Sequence, residues 1–390
     1  MGKAEMRRDI EYLAGNLTHR GASTKSERSA AEYIRDRLTL VTPDVEIDDF
    51  FAIESPWLLF ASYYGEAVVV ALLASWEPWL AFTYGCIVFL LYLAEFSGYR
   101  ILGNLLPQYE TQNVVARLHA LRPERLIVIT AHYDSPRDHF LRRPEVERWL
   151  RPAHILVVVS MVILLVCCVL RDVALFEDWS IRPDLIVQWS CLGVLIGAAF
   201  AVGSCELSND YVRGASDNAS GVAVMLELAD RIQRAPVENS DIWFLATGSK
   251  ETWLSGMRHF LRVHRLDKSN TYFINVDDVG QGDVFYTRAE GLLHTFKSDP
   301  ELIKAAQAAS RESTASPIVH RGLPTDAYLA YTRGYKAIGI TARGGRTDFD
   351  VEGDRPGEID YTTVEHTADF VEAVVRNLAG PPDTKTGGLQ

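Results

Sequence analysis

The sequence predicts an α/β fold, with a mostly parallel central sheet flanked by helices and interrupted by two apolar helical hairpins. Three observations carry that prediction. Short apolar strand-like runs alternate with helical patterns, the pattern of a parallel sheet with crossover helices. His or acidic residues stand at the ends of several runs, where open α/β sheets gather their ligands. Much of the apolar content lies in two blocks, near 57–96 and 153–204, and the remainder has an ordinary soluble composition.

The chain has 390 residues, enough for one large α/β domain with additions. Its formal net charge is −12 and no long basic stripe offsets it, which argues against nucleic acid as a partner. Ala153 to Leu170 is almost wholly apolar, and Leu185 to Ser204 is nearly so. Each matches the ~20 residues that span a bilayer core. In the first block, Trp57 to Trp76 carries Glu66 and Trp79 to Ala94 is short. That block reads either as a second membrane hairpin or as buried core helices. Trp57, Trp76, Trp79 and Tyr92 near its ends suit an interfacial aromatic belt.

A lipid bilayer is therefore an expected partner. The segmentation expected is a polar domain over 1–55, 105–152 and 206–380, hairpins over 56–104 and 153–205, and a disordered tail at 381–390. Cys86, Cys167, Cys168, Cys191 and Cys205 all lie in or beside the apolar blocks. The polar remainder thus offers neither a disulfide framework nor a cysteine-based zinc motif. The N-terminal residues lack an apolar signal core. Arg100, Arg142, Arg143, Arg148 and Arg151 flank the blocks on the domain side, against Arg171 and Arg182 at the tips. By the positive-inside rule, the expectation is an integral membrane protein with its polar domain in the cytoplasm.

Along the chain, Ser26 to Leu40 places Ala30, Tyr33, Ile34 and Leu38 on one helical face. Thr111–His119 and Arg125–Thr130 read as strands, the second capped by Ala131-His-Tyr-Asp-Ser135. A ligand imidazole needs an acceptor behind it to fix its tautomer, and Asp134 can supply one. In Val212 to Gly221, Gly214 and Gly221 permit a tight turn and close backbone approach. Asp217 there reads either as a cap of the helix Val222–Ile232 or as a ligand kept ionised at its N-terminus. The strand Ile242–Ala246 runs into Thr247-Gly-Ser-Lys-Glu251, and Thr271–Val276 ends in Asp277-Asp278. Asp283–Thr287 is a short strand, and Asp299-Pro300 opens a helix. Ala337–Thr341 is the last strand, before an acidic loop with Asp348, Asp350, Glu352 and Asp354. Tyr361–Leu378 closes as an amphipathic helix.

His132, Asp217, Glu251 and Asp277 each follow a strand or open a helix, so they can converge on one sheet edge. Imidazole and carboxylates suit zinc or a similar divalent ion. A carboxylate shared by two ions about 3.5–4 Å apart would activate water for amide hydrolysis. Neither Gly-x-Ser-x-Gly nor His-Glu-x-x-His occurs, so serine-hydrolase and single-zinc protease readings lack support.

Ala131-His-Tyr-Asp-Ser135, Gly214-Ala-Ser-Asp-Asn-Ala-Ser-Gly221, Lys250-Glu-Thr-Trp-Leu254 and Ile274-Asn-Val-Asp277 resemble the motifs of the dizinc aminopeptidases. That clan MH superfamily includes bacterial leucyl aminopeptidases, glutaminyl cyclases and the non-catalytic nicastrin and nicalin type. Arg20-Gly-Ala-Ser23 with Glu27 to Ile34 resembles its N-terminal segment, and Gly357-Glu-Ile-Asp360 its C-terminal one. The resemblance spans nearly all of the chain outside the apolar blocks. It implies two zinc ions, with His132 and Asp277 on one, Glu251 on the other and Asp217 bridging both. It places a carboxylate general base immediately before Glu251, where this chain has Lys250. The family's last His ligand falls on Asp350. His366-Thr367 imitates the missing motif but lies in the closing helix, off the face marked by Val364, Val371, Val375 and Leu378.

The resemblance thus implies a membrane-embedded, metal-dependent exopeptidase for peptide or aminoacyl substrates, its activity weakened or altered at Lys250. Two other functions stay open. One is an inactive pseudopeptidase that binds a protein partner as a scaffold, in the manner of nicalin. The other is acyl transfer or cyclisation at the same site, assisted by a neutral Lys250.

Overall fold

The computed structural model describes residues 2–173, 182–208, 210–344 and 354–380. In chain order the elements are α1 (Gly2–Ile10), α2 (Lys25–Thr39), β1 (Val45–Ala52), α3 (Pro56–Leu73), α4 (Pro78–Phe96), β2 (Tyr109–Leu118) and β3 (Arg125–His132). Next come α5 (Pro144–Asp172), α6 (Pro183–Glu206), α7 (Gly221–Arg234), β4 (Ser240–Thr247), α8 (Ser255–Val263), β5 (Thr271–Val276) and β6 (Asp283–Glu290). The last are β7 (Phe296–Lys297), α9 (Pro300–Ala309), β8 (Ser316–His320), α10 (Asp326–Thr332), β9 (Lys336–Arg343) and α11 (Tyr361–Ala379). They form two units. One comprises Met1–Glu54, Tyr109–Asp138 and Asp210–Gln390, and the other Ser55–Gln108 and His139–Asn209.

In the first unit, nine described strands form one sheet in the order β1-β2-β4-β3-β5-β9-β6-β7, with β8 beside β6. The centre β4-β3-β5-β9 is parallel. Both flanks carry antiparallel pairs at β1–β2, β2–β4 and β9–β6, so the sheet is mixed around its parallel centre. Sequence alternation finds strands without revealing their direction, which the connections decide. Along β3, Ile127 and Ile129 join Ile274, Ile338 and the helices α7, α9 and α11 on one face. Val128, between them, joins Leu245, Phe273 and the residues Met257 and Phe260 of α8 on the other. This two-sided burial makes the central strands continuously apolar, and their period of two puts alternate side chains on opposite faces.

The helices start where chemistry favours it. Thr24 caps α2 by accepting the Glu27 amide, and Asp299 caps α9 by accepting the amides of Glu301 and Leu302. Val364, Val371, Val375 and Leu378 are the buried stripe of α11, while His366 is only half-buried. The sequence reading passed over β1, β7 and β8. In β1 the charges of Glu46, Asp48 and Asp49 mask the alternation, and charges are common on an edge strand, where they discourage further pairing.

Both excursions to the second unit leave the first at paired backbones. β1 and β2 are antiparallel, and their last pair, Ala52 and Tyr109, brackets the first excursion. Arg137 bridges to Tyr211, and the Asp138 amide donates to the Asp210 carbonyl at 2.8 Å, bracketing the second. The sheet therefore closes as though each insertion were a turn.

Within the second unit, α3 packs on α4 and α6, and α5 packs on α4 and α6. All four helices are long and apolar enough to cross a membrane, with mean hydropathy of 1.5, 1.7, 3.0 and 2.1 over their best windows. α5 starts at Pro144, before the apolar run that begins at Ala153, because proline at the first turn initiates the helix ahead of its apolar part. Large apolar side chains such as Leu80, Leu90, Leu156, Val166, Ile186 and Phe200 point outward. Polar groups turn inward. The buried Glu95 carboxylate accepts the Ile101 and Leu102 amides, and Gln188 donates to the Ala71 carbonyl and the Ser75 hydroxyl. The five cysteines are free.

One buried cation ties the first unit together. Arg20 donates from Nε to the Tyr133 carbonyl (2.6 Å), and from its two amino groups to the carbonyls of Leu13, Arg213 and Gly214 (2.7–2.8 Å). It joins the N-terminal helical segment, the end of β3 and the turn before Asp217. Arg20→Met leaves buried acceptors unpaired, each worth about 1–3 kcal/mol, so a stability loss of about 3 kcal/mol or more is expected. Thermal unfolding in detergent measures it, and an unchanged Tm would refute this role for Arg20.

Candidate metal centre

Parallel pairing brings the site together. His132 is the last residue of β3 and lies beside Thr247, the last of β4, while Thr130 lies beside Asn275 of β5. The segments leaving these strands, Gly248 to Glu251 and Asp277 onward, therefore emerge next to His132. Asp217 comes from the other direction, in the turn before α7. It does not cap that helix. Its φ of −107° and ψ of 84° are non-helical, and three residues separate it from Gly221.

Close approach explains that turn. Gly214 has φ +65°, and a Cβ there would meet the Asp217 carbonyl at 2.5 Å. A Cβ at Gly221 would lie 2.6 Å from the Val276 carbonyl, so the start of α7 presses against the end of β5. Asn218 staples the segments together. Its amide donates to the carbonyls of Val276 (2.9 Å) and His132 (3.3 Å), and its oxygen accepts from the Gly221 and Asp278 amides. Asp354 accepts the amides of Ser216 and Asp217 from the far side.

The side chains converge. His132 Nε2 lies 3.1 Å from Asp217 Oδ1 and 3.3 Å from Asp277 Oδ1. His132, Asp217 and Glu251 each bring a ligand atom within 4.8 Å of the others. A tetrahedral ion with bonds of about 2.0–2.1 Å sets neighbouring donors about 3.3 Å apart, and the donor types are those zinc takes. The residues present fit one such ion. Lys250 lies among them, nearly buried, with Nζ 2.8 Å from Glu251 Oε1 and 3.8 Å from Asp277 Oδ2. Asp350 falls outside the described residues.

Charge is concentrated here. Burial opposes the Lys250 charge, yet Asp277, Glu251 and Asp217 outweigh it and hold its pKa well above the ordinary value. Burial pushes the Asp277 carboxyl up, but Lys250 and His132 bring it down to about 2. Burial and Lys250 lower the His132 pKa, and Asp277, Asp134 and Asp217 raise it further than that, to a net upward shift. A metal ion at His132 competes with that proton.

Asp134 has two contacts, one behind His132 and one to the loop after β4. The acceptor nearest to His132 Nδ1 is the Asp134 carbonyl oxygen at 3.1 Å, with its carboxylate at 3.4 Å. The carboxylate chiefly accepts two consecutive amides, Lys250 (3.0 Å) and Glu251 (2.9 Å), and so sets the position of both side chains. A second buried carboxylate, Glu27, accepts the Ser249 amide at 2.8 Å together with the Ser249 and Thr111 hydroxyls and the Ser23 amide.

The first unit has the architecture of the zinc aminopeptidases. Residues 199–375 match the model of peptidase family M28. That match supports the resemblance read from the motifs, over less than half of the chain. The alkaline phosphatase isozyme conversion protein of Escherichia coli K12 carries a related segment, 34% identical over 106 residues. That segment is 27% of this chain and spans 30% of that protein's length. Among solved structures, the aminopeptidase of Aneurinibacillus sp. strain AM-1 superposes with a TM-score of 0.60, at 14% identity, covering 100% of this chain and 96% of its own. Bacteroides thetaiotaomicron glutaminyl cyclase, bound to N-acetylhistamine, gives 0.53 at 12% identity, covering 96% and 97%. At such identities the likeness is one of fold.

Several residues around this candidate centre gave no sequence signal. Glu290 of β6, His320 of β8 and Asp326 of α10 all feel the charges of Asp277 and Lys250. Burial pushes Glu290 up to about 7 and Asp326 up to about 6. They come from distant segments without local motifs, and only the sheet order brings them near. Asn218 and Asp354 had a signal in their place beside known motif residues, but none for their partners.

Glu27 makes a pH prediction. Burial and then the Asp134 charge raise its carboxyl from an ordinary 4.5 to about 8, despite its hydrogen bonds. The folded state therefore holds a proton that the unfolded state releases. Stability from this group is full below about pH 4.5 and is lost as pH rises through about 8, at up to ~1.4 kcal/mol per unit. Denaturant unfolding of wild type and Glu27→Gln across this range should show wild type falling relative to the variant. Parallel profiles would remove Glu27 as the cause.

Proposed function

We propose that this protein is a membrane-embedded, metal-dependent hydrolase of peptide or aminoacyl amide bonds, of the exopeptidase type. The observation that carries it is the convergence of His132, Asp217, Glu251 and Asp277 at donor spacing on the carboxyl edge of the parallel strands. His132, Asp217 and Asp277 would hold a zinc ion, and Glu251 lies beside them. Bound zinc supplies Lewis acidity at a carbonyl oxygen and activates water. Asp134 positions Glu251 and Lys250 through their amides, and mutation of such outer supports typically costs 10- to 100-fold in affinity or activity.

Lys250 sets the expected rate. A protonated ammonium cannot accept a proton from water, and general acid–base help is worth about 10²- to 10⁴-fold. It can instead donate to charge developing on a carbonyl oxygen. Slow hydrolysis is therefore expected of the wild type. The bond from Lys250 to Glu251 also favours a second reading, a binding module without catalysis.

Assays on aminoacyl amides with added zinc separate these readings. Wild type should be slow, Lys250→Glu with Asp350→His faster by about 10²-fold or more, and Asp217→Asn inactive. Ordinary aminopeptidase rates in wild type, with Lys250→Glu slower, would show the impaired-base reading to be wrong. No turnover in any variant would favour the binding module.

The outward apolar side chains of α3 to α6 and their hydropathy support the membrane placement. Arginines near the domain-side ends of the apolar blocks support a cytoplasmic domain. An impermeant thiol reagent applied to intact cells should label a cysteine placed at Glu177 and spare one at Asp383. The opposite pattern reverses the orientation, and extraction without detergent would rule out membrane embedding.

A further inference from the structure

We propose that Lys250 is a built-in second cation, so that the centre binds one divalent metal ion where a dinuclear site would hold two. This rests on the metal reading above and concerns how many ions the site accepts. The ammonium of Lys250 bonds Glu251 Oε1 at 2.8 Å and lies 3.8 Å from Asp277 Oδ2, so it already serves the carboxylate that a second ion would need. The donors around His132 stay available for the first ion, since His132 Nε2 faces Asp217 and Asp277 at 3.1 and 3.3 Å.

Charge balance agrees. Asp217, Glu251 and Asp277 set against one ammonium leave two formal negative charges, the charge of a single divalent ion. Two divalent ions beside the ammonium would leave a net positive charge on these groups in a largely buried site, which removal from water makes costly. The position of Lys250 is also built in. Its amide and that of Glu251 are fixed by the Asp134 carboxylate, and the preceding Ser249 by Glu27, so the ammonium cannot leave by a shift of this backbone without breaking buried hydrogen bonds.

The test is metal stoichiometry on the full chain in detergent, stripped with chelator, reloaded with zinc and measured by elemental analysis and calorimetry. Wild type should hold about one ion per chain, as should Lys250→Arg, which keeps the charge. Lys250→Met and Lys250→Gln should each hold about two. Thermal melts show which variants are folded, and having two neutral variants guards against the failure of one. Two ions in wild type, or one in both folded neutral variants, overturns the inference and leaves the metal reading standing. No ions in any variant overturns the metal reading and the inference together.

Discussion

Parallel pairing of β3 with both β4 and β5 is the constraint on which the centre depends. It aligns three strand ends, and each end releases a segment bearing a candidate ligand or its support: His132 with Asp134, Lys250 with Glu251, and Asp277. Parallel strands need long crossovers, so these residues are far apart in sequence and meet only once the sheet is assembled. The period of two along β3 also sends Ile127 and Val128 into separate cores, which holds the register against slipping by one residue.

The site is framed by buried polar and charged groups that would be costly alone. Arg20 is solvated by four carbonyl oxygens, the Glu27 carboxyl by four donors, and the Asp134 carboxylate by two amides. Each pairing satisfies a group whose isolation would cost several kcal/mol. The result is a rigid frame, as metal ligation demands, since donor atoms misplaced by an ångström lose much of the bond. The same frame fixes the Lys250 backbone, and its ammonium pairs with Glu251.

The two apolar excursions are tolerated because each starts and ends at paired backbone. Ala52 with Tyr109, and Arg137 with Tyr211, close the first unit's chain as a turn would. Loop-closure entropy grows only slowly with loop length, so insertions at such points cost the sheet little. The second unit then follows its own rules, with apolar side chains outward and polar groups such as Glu95 and Gln188 satisfied inside.

The sequence by itself determined the α/β class, the central strands, the four apolar helices and the identities of His132, Asp217, Glu251 and Asp277. These were legible because apolar periodicity and short motifs are local properties. Tertiary structure decided what depends on distant pairing. It made the sheet mixed, brought β1 to the edge despite its acidic residues, and took Asp217 off the helix end into a turn stapled by Asn218. It gave Asp134, which stands behind the imidazole, a further role as a clamp on two amides, and it brought Glu27, Glu290 and Asp326 near the centre. Above all it decided where the Lys250 ammonium lies, because a four-carbon side chain takes its position from the carboxylates that surround it, and those arrive from two different strands and a turn.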